Sequence, residues 1–154
     1  MATRIKTPRS GLYQQDLYAW SKAQVDLLRA GRFAELDLEH MIEEIEDVGG
    51  ALKRSVRHRI RSIIEHLLKL EHSPAKEPRA GWRATVRSKR VKLRDALTPL
   101  LHREVANELP ALYQDARALA EGALRDYGEH PAADALPESC PYSLDQIISD
   151  WLPG

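Results

Sequence analysis

The chain has 154 residues, a length that suits one domain with a hydrophobic core of its own. Its 23 basic and 23 acidic side chains give a formal net charge of zero, and 43% of its residues are hydrophobic, which excludes a disordered tail. The 21 Leu and 19 Ala far outnumber the 6 Val and 8 Ile. This composition favours helices and largely excludes an all-β fold.

The ends and the single cysteine limit the possible classes further. Residues 1–12 are basic but are not followed by an apolar stretch, so we expect a flexible arm rather than a secretory signal. No apolar run approaches the ~20 residues that a membrane helix needs. Cys140 is the only cysteine, which excludes an intrachain disulfide and a cysteine metal cluster. We therefore expect a reduced, cytoplasmic protein of bacterial type with one domain at residues 13–154.

Two helices are predicted in the first third of the chain. The first covers about residues 13–30 and ends at Gly31, a natural left-handed cap. The second follows Asp37 and is expected to end or bend at Gly49 and Gly50. Its predicted buried stripe consists of Leu38, Met41, Ile42, Ile45 and Val48.

The third helix has the clearest pattern, and it is predicted to stop at Ser73, before Pro74. A fourth helix begins near Trp82, and a fifth begins with Thr98 as its cap, with a break or kink expected at Pro110. A short C-terminal helix is predicted from Ser143 and Gln146, which form a capping box. The buried stripe of the third helix consists of Leu52, Val56, Ile60, Ile63, Leu67 and Leu70.

Together these elements predict an all-α fold, an up-and-down bundle of five to six helices with a short C-terminal helix and tail. A further observation concerns seven segments spread along the chain: 13–16 with Trp20, 31–37, 41–49, 65–69, 82–86, 113–117 and 140–144. Through them the sequence resembles a bacterial family, domain of unknown function twenty-nine, over nearly the whole chain. The resemblance implies an all-helical fold and brings no reaction, cofactor or catalytic residue.

Charge is unevenly distributed along the chain. Residues 51–94 contain fourteen basic and three acidic side chains, whereas residues 95–154 contain three basic and eleven acidic ones. The basic block predicts either a phosphate-binding face for nucleic acid or a surface that pairs with the acidic segments. We favour pairing, because nucleic-acid binders usually also have a basic net charge. The residues of this block that we predict to contact a partner are Trp82, Arg83, Arg87, Arg90 and Arg94.

Acidic and histidine side chains give the remaining candidates for chemistry. His40 lies three residues after Asp37, on the same helical face, but no second motif completes a metal site in a helical bundle. His66 lies near the apolar stripe of the third helix and is predicted to approach Glu44 or Glu46 across a helix interface. A structural role for this histidine is the favoured interpretation.

The sequence therefore predicts a helical interaction or scaffold module that binds another protein, with no cofactor and no catalytic or metal-ligating residue. Nucleic-acid binding through residues 51–94 is one alternative. An enzyme that depends on His66 or a metal ion is the other. The choice between monomer and homodimer stays open.

Overall fold

The structure is a computed structural model that describes residues 10–154. All of its regular secondary structure is helical, and no strand occurs within this range, as predicted. The helices are α1 (Ser10–Gln15), α2 (Leu17–Arg29), α3 (Leu38–His72), α4 (Arg79–Ala96), α5 (Pro99–Asp126), α6 (His130–Asp134) and α7 (Leu144–Ile148), with a 3-10 turn at Phe33–Glu35. The described residues form an N-terminal unit that ends at Gly50 and a C-terminal unit of residues 51–154, and α3 continues from one into the other.

The start of the chain differs from the prediction in two ways. Residues 1–9 of the expected arm lie outside the described residues, whereas residues 10–12 belong to α1. The predicted first helix is divided at Asp16, because its carboxylate accepts the Ala19 N–H at 2.9 Å and caps a new helix. Gly31 adopts a φ of 69°, which confirms its prediction as a left-handed cap.

Neither Gly49 and Gly50 nor Pro110 ends a helix, so of the two outcomes expected at each position, an end or a bend, the end is wrong. The second and third predicted helices are one helix of 35 residues, α3, which passes through Gly49 and Gly50. Pro110 lies inside the continuous helix α5. A glycine costs a helix about 1 kcal/mol and a proline about 3 kcal/mol, and the packing of a long helix outweighs such costs.

The core of the C-terminal unit follows the predicted stripe of the third helix. Val56, Ile60, Ile63 and Leu67 are completely buried, although Leu52 at the start of the stripe is exposed. They pack in one cluster with apolar residues of α4, α5, α6 and α7. The caps predicted for α5 and α7 are confirmed, since Thr98 accepts a hydrogen bond from Leu101 and the capping box of Ser143 is complete.

Candidate functional site

Part of the basic block of the C-terminal unit is paired with acidic side chains of the same unit. The Lys53 ammonium lies 2.9 Å from a carboxylate oxygen of Glu104 and 2.7 Å from one of Glu108, and Arg57 also reaches Glu108 at 3.2 Å. The two carboxylates lie one helical turn apart on α5. Pairing, rather than a continuous phosphate-binding face, therefore describes this part of the block. Two looser pairs are Arg61 with Asp115 and Arg94 with Asp150.

Arg90 was predicted to face a partner, but it is only 2% exposed. Its guanidinium donates to the carbonyl oxygens of Gln146 and Ile147, both at 2.9 Å, and of Trp151 at 2.8 Å. Burial lowers the pKa of this guanidinium. Arg90 therefore fastens the C-terminal segment and is unavailable to a partner. A signal was present in the sequence, because Arg90 shares a helical face with the buried Val86.

Two of the predicted partner residues remain open to solvent. Arg83 and Arg87 are exposed on α4, and neither forms an ion pair within the described chain. Trp82 is half-buried, and the ammonium of Lys69 lies 5.6 Å from the centre of its ring. Arg54, Lys76 and Lys92 are likewise exposed and have no ion pair among the described residues, so part of the basic face that the sequence suggested remains open.

The predicted approach of His66 to Glu44 or Glu46 is wrong. All three residues lie on α3, and side chains twenty or more residues apart on one helix are too far apart along its axis to touch. Nδ1 of His66 lies 2.8 Å from the carbonyl oxygen of Ser62, one turn earlier. Burial lowers the pKa of this imidazole. These features match the structural interpretation of His66.

The N-terminal unit contains a polar cluster around Asp37. The carboxylate of Asp37 accepts a hydrogen bond from the indole N–H of Trp20 at 3.0 Å and lies 2.8 Å from Nδ1 of His40. The backbone N–H of Asp37 donates to the side-chain oxygen of Gln24 at 2.9 Å. The hydrogen bond to Asp37 raises the pKa of His40, and the same bond lowers the pKa of Asp37 against the effect of its burial.

Tyr13 extends this cluster along α3. Its ring stacks on the His40 imidazole with 3.9 Å between ring centres, and its hydroxyl donates to Glu44 at 2.7 Å. The hydrogen bond to Glu44 raises the pKa of Tyr13 to about 12. The contacts join Tyr13 of α1 and Trp20 of α2 to the first turns of α3, so the cluster holds the N-terminal unit together.

The opposite face of the same stretch of α3 is apolar and uncovered. Leu38, Ile42, Ile45 and Val48 are between 56% and 68% exposed. The sequence predicted that these four residues and Met41 form a buried stripe; Met41 is half-buried, and the prediction was wrong for the other four. Tyr13 and His40 meet on the polar side of the helix, so the aliphatic side points to solvent. We call these four aliphatic residues the α3 apolar face.

The two family segments at 13–16 and 31–37 supply this polar cluster with Tyr13 and Asp37. A family model described as "Domain of unknown function DUF29" matches residues 12–152. The chain belongs to the DUF29 family. The comparisons give no match among curated proteins or solved structures. Family membership confirms the resemblance seen in the sequence and assigns no activity.

A second feature of this DUF29 protein is a cavity of about 480 Å³ in the C-terminal unit. It lies where the end of α3, the start of α4 and the end of α5 come together. Its wall includes the indole of Trp82, the ring of Tyr127 and Pro78. Its charged residues are Lys69, Glu77 and Glu129.

Two further features concern metal binding and membrane insertion in residues 10–154. No three His, Cys, Asp or Glu side chains of this range are grouped so that they could hold a metal ion. None of the helices described combines the length and the apolar character that crossing a membrane requires.

Proposed function

We propose that this DUF29 protein is a helical interaction module and that the α3 apolar face binds a partner protein. The observation that carries the proposal is the exposure of four aliphatic side chains along one face of a helix. Scattered exposed apolar residues are ordinary, whereas a contiguous row of them marks an interaction surface. Their spacing of four, three and three residues suits the seam between two packed helices.

The charge around the α3 apolar face indicates the chemistry of the partner. Residues 38–50 contain five acidic side chains and no Lys or Arg. Glu39, Glu43, Glu46 and Asp47 are exposed, whereas Glu44 is engaged by Tyr13. A second copy would bring like charges together if it used the same stretch in parallel. We therefore propose that the partner presents an amphipathic helix with an apolar seam and basic flanks.

A pair of designed peptides tests this proposal. One is a helix of Leu and Lys with the leucines at helical spacing, and the other replaces every Lys by Glu. We expect the full chain to bind the Lys peptide in a fluorescence anisotropy titration and to show no binding of the Glu peptide. Ile45→Gln should weaken binding about tenfold, because fully burying such a side chain contributes about 1.5–3 kcal/mol. Equal binding of both peptides would contradict the proposal.

A matched control distinguishes binding at the α3 apolar face from nonspecific hydrophobic binding. Val91 is an exposed aliphatic residue of α4, so Val91→Gln removes a similar apolar surface from the C-terminal unit. We expect Val91→Gln to bind the Lys peptide as the natural chain does. Neither substitution should alter thermal stability by more than about 0.5 kcal/mol, since both side chains are exposed. A concentration-dependent dimer that Ile45→Gln dissolves would instead identify a second copy as the occupant.

Nucleic-acid binding is the alternative function, and a titration with an oligonucleotide distinguishes it from binding of a protein. Such an interaction would use the exposed basic side chains of residues 51–94 that have no ion pair in the described chain, Arg83 and Arg87 among them. Binding of a labelled RNA or DNA oligonucleotide that falls steeply with salt, and that Arg87→Gln abolishes, would favour that alternative over a protein partner.

A further inference from the structure

The cavity beside Trp82 has the size and wall of a small-molecule site. Its volume of about 480 Å³ falls within the ~300–1,000 Å³ typical of ligand pockets. Apolar side chains from α4, from α5 and the turn after it, and from the loop before α4 form most of its wall. A few charged groups converge on it, as ligand sites require for orientation.

The one basic group of the wall is already neutralised. The Lys69 ammonium lies 2.8 Å from a carboxylate oxygen of Glu65, and its opposite side faces the Trp82 ring. Only 8% of Lys69 is exposed, so this pair is shielded from solvent. A buried cation with both partners in place has little remaining attraction for an anion.

Unlike the Lys69 ammonium, the carboxylate of Glu129 has an oxygen atom without a partner. Its Oε2 atom is buried and has no hydrogen-bond partner in the described chain. The backbone of Glu129 is fixed, because its N–H donates to Leu124 at 2.8 Å and its carbonyl accepts from Ala133 at 3.0 Å. Although Glu129 precedes α6, its side chain does not cap that helix. A buried carboxylate oxygen without a donor is costly. Because Glu129 lines the cavity, a rotation of its side chain would place the carboxylate against an N–H group of a ligand there.

The remaining wall favours a cation with an apolar body. Glu77 adds a second negative charge, and no basic side chain of the wall compensates either glutamate. The rings of Trp82 and Tyr127 offer π-faces that attract an ammonium group. We propose that this cavity binds a small organic cation, a primary ammonium group on an apolar or aromatic body, with Glu129 as its acceptor. The proposal is independent of the α3 apolar face.

Three probes of the same shape test the charge preference on the full chain. Phenethylamine carries the ammonium group, phenylpropionate carries a carboxylate, and phenylethanol is neutral. Binding is followed by the indole N–H signal of Trp82 in nuclear magnetic resonance spectra, assigned with Trp82→Phe. We expect a saturable shift with phenethylamine, a weaker one with phenylethanol and none with phenylpropionate. A stronger response to phenylpropionate, or no saturable shift with phenethylamine, would overturn the proposal.

Substitution of the acceptor tests the role of Glu129. Glu129→Gln keeps the shape and removes the charge, and we expect phenethylamine to bind about tenfold more weakly or worse. Glu138→Gln makes the same change in net charge at an exposed position that does not line the cavity, so its affinity should match the natural chain. Equal affinities for the two variants would show that Glu129 does not receive the ammonium.

Discussion

Arg90 provides the sharpest test of how the C-terminal segment is held. Arg90→Met keeps most of the length of the side chain and removes its three hydrogen bonds to carbonyl oxygens. Hydrogen bonds to a charged group contribute about 1.5–3 kcal/mol each, which gives a gross loss of roughly 4.5–9 kcal/mol. The desolvation of a buried guanidinium offsets several kcal/mol of this. We expect a net destabilisation of about 3 kcal/mol, or a melting temperature lower by roughly 6–12 °C.

Urea unfolding followed by circular dichroism measures the free energy of unfolding, and hydrogen exchange of the α7 amides measures the release of the segment. Arg94→Met is the control, because Arg94 is half-exposed and holds only a 3.6 Å ion pair with Asp150. Its effect should stay within about 0.5 kcal/mol. If Arg90→Met also changes the free energy of unfolding by no more than about 0.5 kcal/mol, the three carbonyl contacts do not hold the segment.

Three smaller predictions concern the pair of Asp37 with His40 and the glycines Gly49 and Gly31. Asp37 raises the pKa of His40 above 6.5, so this pair stabilises the fold below about that pH and the stabilisation is lost as the pH rises through the folded value. Asp37→Asn should lower the pKa of His40 in an imidazole titration by nuclear magnetic resonance; an unchanged value would contradict the pairing. Gly49→Ala should stabilise α3 by about 0.5–1 kcal/mol, since a Cβ there meets nothing within 4 Å. Gly31→Ala should destabilise by about 1–2 kcal/mol, because its φ is 69°; thermal melts showing the same sign for both would refute this reasoning.

Signals confined to a few neighbouring residues were read correctly from the sequence. The cap at Thr98, the capping box at Ser143 and the left-handed Gly31 all depend on local hydrogen bonds and backbone angles. The helix breaks expected at Gly49 and Pro110 are absent, because the stability of a long packed helix exceeds the cost of one unfavourable residue. Intrinsic propensity is a weak predictor where packing over many turns opposes it.

The candidate site was harder to predict, because its partners are distant along the chain. Arg90 binds backbone carbonyls that lie 56, 57 and 61 residues later, and carbonyls have no sequence signature. The Asp37 cluster joins residues from α1, α2 and α3, of which the sequence paired only Asp37 with His40. Periodicity identifies an amphipathic face but does not state what covers it, which is why the α3 apolar face was assigned to the core.

The exposed aliphatic face also limits how tightly a partner can bind. Each side chain is about 60% exposed, so full burial would contribute roughly 1–2 kcal/mol, and the four together roughly 4–8 kcal/mol. Association alone costs about 4–15 kcal/mol in lost translational and rotational freedom. The apolar seam therefore cannot sustain tight binding by itself, and the flanking acids must add to it. Their contribution is screened by salt, so we expect the Lys peptide to bind more weakly as ionic strength rises, while the loss caused by Ile45→Gln stays the same.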